Sequence, residues 1–255
     1  MKLTVILRTC LRSKLDEGIK DFTRICGSDR RAMVLKCLQS LVNSINHSSA
    51  EVKLIILDDN SDADFLEEVH AISNAEIIML APPDDMPSFN FSAFRQFQVA
   101  SEVEGLVYSV EDDYLHTEDA IETMINAHAY LSSRFYNDTV MVFPFDCPFR
   151  YEQGKEEPTI LLHDGSRYWR QVNATTNTFL TMGSTIKKHF DVFSKLALEY
   201  PNVNEQHTIN KLYKRFGTEN GSITVFNPIP SVAYHLSYAS PVEIKTPVNW
   251  RQLWE

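Results

Sequence analysis

Five short, largely apolar runs punctuate the first 145 residues: Leu3–Leu7, 52–57, 76–80, Leu106–Val110 and 139–143. Each is too short for a core helix. Each is continuous rather than alternating, which marks a strand buried on both faces. Between them the periodicity is helical. In "RRAMVLKCLQSLVNSIN", residues Val34, Cys37, Leu38, Leu41, Val42 and Ile45 share one stripe, and Ser28 or Asp29 can cap its start. Asp62 can cap a helix through Ile72, residues 89–103 read as a third helix, and Thr117 caps a fourth carrying Ile121, Met124, Ile125 and Ala129. Parallel strands need long crossovers, which are right-handed and lay helices on both faces of the sheet. The expected fold is therefore α/β: a Rossmann-like, mostly parallel sheet between two helical layers.

After residue 145 the pattern changes. Residues 146–183 hold proline, glycine and many aromatics, with a hairpin-like piece, "TILLHDGSRYWRQV". Helices are expected near 185–199 and 205–216, then a polar, proline-rich tail over 218–255. No repeat or linker separates the two parts. Residues 1–255 read as one domain, in which 1–145 binds the ligand and a smaller, mixed region, 146–255, builds the second wall of a cleft.

The net charge of −10 leaves no basic stripe for nucleic acid. It also sets a condition: a phosphorylated ligand would need a metal or a local arginine to offset the acidic background. The four cysteines, Cys10, Cys26, Cys37 and Cys147, show no CxxC spacing, so reduced thiols in a cytoplasmic protein are expected rather than zinc or disulfides. The apolar run in "MKLTVILRTC" is too short for a signal peptide core, and no run approaches a membrane span. The Asn137-Asp138-Thr139 sequon then carries no meaning.

Sheets of this kind take ligands beyond the carboxyl ends of their strands. Those ends are Arg8-Thr9, Asp58-Asp59 and, in "LVYSVEDDYLH", Glu111-Asp112-Asp113. Adjacent carboxylates repel one another and call for a counter-charge. The turn "RTCLRS" has no GxGxxG and the chain has no GxxxxGK[ST], so phosphates lack a glycine-rich cradle. Two carboxylates at a strand end are hard oxygen ligands suited to Mg²⁺ or Mn²⁺.

Taken together, "LTVILRTC", "VKLIILDDNSD" and "YSVEDDYLHTEDAI" resemble family 2 of the GT-A glycosyltransferases: strand-Pro-Thr, the DDGS/DDNS element, and the DxD region with its following helix. The resemblance covers residues 3–125 well and the rest loosely. It implies a GT-A fold and a metal-dependent, inverting chemistry: a sugar moves from a nucleotide-diphosphate sugar, UDP favoured and GDP possible, to the hydroxyl of a glycan or other acceptor. Thr9 would border the base and Asp59 would accept its N–H. Asp112 would lie by ribose and metal, and Asp113 would ligate the metal. Arg95-Gln96 stands where the family has Arg-Asn. "VNEQHTINKLYKRFG" resembles the later ED element, with Glu205 at the general base. Arg8 replaces the usual proline, Gln96 an asparagine, and Gln206 the aspartate after the glutamate. Many GT-A enzymes place a C-terminal histidine on the metal, which implies that role for His235.

Each residue also has a plain structural reading. Asp58-Asp59-Asn60-Ser61 is good turn chemistry, so one of the pair can be purely structural; Asp59 is the expected ligand contact. Arg8 is a natural phosphate fork or a surface charge, and Arg95 can pair on its own helix. Tyr168 and Trp169 are a sugar platform or core filler. Glu205 can be a first-turn acid favoured by a helix dipole, with Asp164 and Asp146 as other candidate bases. Two rival functions remain at this point: a sugar-nucleotide nucleotidyltransferase, and a nucleotide-sugar-binding protein without turnover.

Overall fold

The chain opens with β1 (Lys2–Thr9), α1 (Arg30–His47), β2 (Glu51–Asp58), α2 (Ala63–Ile72) and β3 (Glu76–Met79). It continues with α3 (Ser88–Ser101), β4 (Leu106–Glu111), β5 (Tyr114–His116), α4 (Ala120–Arg134) and β6 (Thr139–Val142). The later part adds β7 (Leu161–His163), β8 (Tyr168–Val172), β9 (Phe179–Met182), α5 (Gly183–Lys188), α6 (Phe190–Glu199), β10 (Ile223–Ile229), β11 (Ala233–His235) and α7 (Trp250–Trp254). The computed structural model describes residues 1–11, 29–136, 139–152, 154, 157–218, 220–237 and 247–255. Arg12, Cys26, Ser28, the Asn137-Asp138 pair and most of the connection after β1 lie outside the described residues.

Nine strands form one sheet in the order β3-β2-β1-β4-β9-β6-β10-β8-β7. β1 pairs in parallel with β2 and β4, and β2 with β3, while β9 runs against β4 and β6, and β8 against β10 and β7. The sheet is thus mostly parallel, with β9 and β8 reversed. Helices α3, α5 and α6 pack together on one side, and α1 packs with α2 and α4 on the other. All five apolar runs are strands. The centre of the parallel part is dry: Val5 and Ile6 of β1, Leu57 of β2, and Val107 and Val110 of β4 have no solvent exposure. A fully buried Val, Leu or Ile stabilises by roughly 1.5–3 kcal/mol, so this register is strongly fixed.

The start of α1 follows the sequence, with the Asp29 carboxylate accepting from Ala32 N, and α2 likewise, with Asp62 accepting from Phe65 N. Three expectations need correction. Thr117 does not cap α4: the helix starts at Ala120 after Asp119, and the Thr117 hydroxyl donates to Asp119 and to Val232 O. Residues 205–216 are not an α-helix. They form two 3-10 turns, Glu205–His207 and Ile209–Leu212, because Tyr213 bridges to Ile223 and Lys214 N donates to Ile223 O, drawing the chain alongside β10. The expected polar tail contains β10, an interior strand: its Asn227 is fully buried and donates from Nδ2 to Asp146, so a polar residue that reads as surface sits in the core.

Candidate active site

β1, β2 and β4 end side by side, which brings Thr9, Asp58, Asp59 and Glu111 together. Asp58 is fully buried and faces the protein: Thr9 Oγ1 donates to it at 2.7 Å, Ser61 N at 2.7 Å and Ser61 Oγ at 2.9 Å. That is an Asx turn, and Asn60 takes the left-handed conformation within it (φ 54°). Asp59 lies one residue further out. It accepts from the hydroxyl of Ser88, the first residue of α3, and from Cys10 Sγ at 3.2 Å.

The three consecutive acids each meet a separate cation. Glu111 Oε1 accepts from Arg8 Nη2 at 3.1 Å, and Arg8 also spans Ser92 and the Phe89 ring, 5.0 Å away. Asp112 takes Arg30 Nη2 on both oxygens at 2.6 Å, and Cys10 N at 2.9 Å. Asp113 Oδ2 lies 3.0 Å from His235 Nε2. His235 reaches this point because β5 and β11 pair antiparallel, setting it opposite Tyr114 with the two rings stacked at 4.7 Å. Burial pushes the Glu111 and Asp112 carboxyls up, against the pull of Arg8 and Arg30. Burial would raise Asp113 as well, but the His235 imidazolium beside it holds it well below the usual carboxylate range. Burial alone would lower His235; the Asp113 charge and hydrogen bond raise it instead.

These pairs decide how far the residues suit a divalent cation. Asp113 Oδ1 is buried with no hydrogen-bond partner, an orphan that fits an oxygen-seeking ion. The rest of the expected set is occupied: Asp112 holds Arg30, and His235 faces Asp113. Among the described residues no group of three His, Cys, Asp or Glu side chains is disposed to hold a metal.

A cavity of about 730 Å³ adjoins these acids. Thr176, on its wall, shares a hydrogen bond with the Tyr114 hydroxyl at 2.7 Å, and Phe145 packs edge-on to His235 at 6.2 Å. Glu205 lines it too, half-buried, close enough to Glu111 for the two charges to disfavour one another. Because Glu205 opens a three-residue 3-10 turn, no helix dipole acts on it.

Other expected site residues stand elsewhere. Arg95 bonds Gln98 on its own helix; its neighbour Gln96 is the buried one, donating to Ile6 O at 2.8 Å and Val110 O at 3.0 Å and so tying α3 to β1 and β4. Trp169 is fully buried and donates from Nε1 to Asp164, so it is core and not a platform. Tyr168 is exposed, but it pairs edge-on with His163 and lies off the cavity lining, where the same strand contributes Arg170 and Gln171. Asp164 accepts from Ser166 N, Arg167 N and Trp169 Nε1, which outweigh burial and hold its carboxyl at about 2; it closes the β7–β8 turn and is not a base. Asp146 is buried between Tyr151, Arg170 and Asn227. Arg30 was not singled out in the sequence. It sits 82 residues from Asp112, and no local pattern links them.

No protein-family model matches the sequence, and no curated protein matches it. Solved structures similar to this chain include S. aureus TarS (14% identity, TM-score 0.45, covering 89% of this chain and 36% of that one). They also include the galactosyltransferase LgtC in complex with donor and acceptor sugar analogues (13%, TM-score 0.45, 88% and 73%). A third is the inositol-1-phosphate CTP transferase from T. maritima (15%, TM-score 0.45, 100% and 95%). This chain spans about a third of the length of TarS. At such TM-scores the likenesses decide nothing about the reaction, and glycosyl and nucleotidyl transferases stand side by side among them.

Proposed function

We propose that this chain is a glycosyltransferase that moves a sugar from a nucleotide-diphosphate sugar to an acceptor hydroxyl with inversion. The observation that carries the reading is that the strand-end acids stand beside a cavity whose wall carries Glu205, near enough to Glu111 for their charges to interact. Asp59 and Thr9 would receive the nucleotide, Asp59 accepting an N–H of the base. Arg8 and Arg30 supply positive charge beside the diphosphate, which the net charge of −10 otherwise opposes. Asp113, through its orphaned Oδ1, would hold a divalent ion; when bound, such an ion acts as a Lewis acid toward the departing diphosphate. Glu205 would take the proton of the attacking hydroxyl as it closes on the anomeric carbon from the face opposite the leaving group. The Asp113–His235 pair and the stack of His235 on Tyr114 line this side of the site.

The test is a thermal-shift panel of nucleotides and nucleotide sugars, with and without Mn²⁺, followed by transfer assays. UDP or GDP and their sugars should stabilise the protein; a preference for triphosphates would instead favour nucleotidyl transfer. Glu205→Gln should lower turnover by about 10²–10⁴-fold, the range of general-base catalysis, with donor affinity retained. Near-normal turnover would remove Glu205 from the mechanism, and a retained anomeric configuration, read by NMR, would end the inverting reading.

A further inference from the structure

The cavity beyond Glu205 has a charge opposite to that of the chain. Its described lining includes Arg150, Arg170, Lys214 and Arg215, against Glu157 and Glu205. The arginines are not equally engaged. Arg170 Nη1 bonds the buried Asp146 at 3.3 Å, and its Nη2 bonds the Tyr151 hydroxyl at 2.7 Å, with the guanidinium 4.9 Å above that ring. Arg150 spends Nη2 on Ala174 O at 3.1 Å. Its Nε is buried without a partner, and among the described residues it forms no ion pair. Burial opposes its charge most and lowers its pKa; the Cys147 thiol beside it favours the charge, the Arg170 charge opposes it, and Asp146 and Glu157 favour it less. A guanidinium held this way is under-satisfied: taking it from water is costly unless an anion completes its bonds. Planar guanidinium groups answer carboxylate and phosphate in particular. Aromatic rings share the same walls. Phe149, Tyr151 and Phe216 are each more than two-fifths exposed there, and rings stack on the apolar faces of sugars.

We propose that this cavity receives an acceptor sugar bearing an anionic group, a carboxylate or a phosphate, with Arg150 as its anchor and Arg170 as the second positive charge. The identification of the occupant as the acceptor rests on the glycosyltransferase reading; the anion preference of the cavity does not. With the anion on Arg150, the rest of the sugar extends along the wall toward Glu205, where its hydroxyl would be deprotonated.

Binding of matched pairs tests this without turnover. Saturation-transfer NMR would compare methyl β-glucuronide with methyl β-glucoside, and glucose 6-phosphate with glucose, on the wild-type protein, Arg150→Gln and Arg215→Gln. One charge-assisted contact predicts that the charged member of a pair binds about tenfold or more tighter. Arg150→Gln should bring that ratio close to one, and Arg215→Gln, an exposed rim residue less at risk of misfolding, should reduce it in part. The carboxylate and phosphate arms tell which anion is meant. Equal binding of charged and neutral sugars, no binding of either, or an unchanged ratio in both variants would overturn the proposal. If nucleotide sugars fail to bind while the charged sugars keep their advantage, the glycosyltransferase reading falls and the anion site stands.

Discussion

At the strand ends every one of the three consecutive acids is matched to a cation on another element: Glu111 to Arg8, Asp112 to Arg30, Asp113 to His235. In the cavity beyond Glu205 the balance is different. Arg150 has no ion pair among the described residues, and the aromatic rings around it are partly exposed. The first region closes its own charges, so the fold depends on them. The second leaves charge and apolar surface for something else to complete. Substitutions in the first should therefore cost stability, and substitutions in the second should cost binding.

The largest effect is expected at Asp112. Removing one partner of a buried pair strands the other, which typically costs about 3–5 kcal/mol. Asp112→Ala removes the carboxylate that takes Arg30 Nη2 on both oxygens, so the melting temperature should fall by roughly 10 °C for a chain of this size. An unchanged melting temperature would mean that Arg30 is indifferent to Asp112, and the contrast between the two regions would fail.

The pair at the end of β2 sharpens the contrast within one dipeptide. Asp58 holds the turn through Thr9 and Ser61, so Asp58→Ala should lower stability by about 1–3 kcal/mol, the cost of leaving buried donors unpaired. Asp59→Ala should weaken uridine nucleotides by about 1.5–3 kcal/mol, the scale of a hydrogen bond to a charged group. Titration of UDP into both variants checks this; a silent Asp59→Ala with weakened binding in Asp58→Ala would exchange their roles.

What could be seen in the sequence divides along the same line. Strand-end residues are contiguous with the strands that deliver them, so Thr9, Asp58-Asp59 and Glu111–Asp113 could be placed from the apolar runs alone. Their partners could not: Arg8 meets Glu111 across 103 positions and Arg30 meets Asp112 across 82. The cavity was less legible still. Its lining comes from the loop after β6, from β8 and from the turns after Glu205, and the helix expected at 205–216 gave way to pairing with β10. Trp169 misled for a related reason, because exposed platform and buried core present the same aromatic signal.

A smaller effect is expected from acid. His116 lies on β5, buried, with Nε2 2.8 Å from the Tyr108 hydroxyl. Burial lowers its pKa from the ordinary 6.5 to about 3. Between those values the unfolded chain binds a proton that the folded one refuses, so stability falls as pH drops below 6.5 and the loss is complete near 3. At one unit below the ordinary value this amounts to about 1.4 kcal/mol. His128 is shifted in the same direction by burial. Denaturant midpoints measured across this range should therefore slope less steeply in His116→Gln than in the wild type; parallel profiles would show that His116 titrates alike in both states.

The smallest change in stability, and the cleanest separation of the two regions, is expected at Phe216. The residue follows the second 3-10 turn, precedes Gly217 in its left-handed conformation (φ 73°), and is 54% exposed on the cavity rim. An aromatic ring so exposed contributes little to the core, and surface substitutions away from caps, pairs and strained backbone usually stay within about 0.5 kcal/mol. Phe216→Ala should leave the melting temperature nearly unchanged. If the ring is there for a sugar to stack on, the same substitution should weaken acceptor binding by about 1 kcal/mol, the middle of the range for an aromatic contact beyond its buried area, while UDP affinity at the strand ends stays as it was. Saturation-transfer difference measured from the ring protons of Phe216 to a bound sugar would show the contact directly. A marked loss of stability in Phe216→Ala would make the ring part of the fold and not a surface for a sugar.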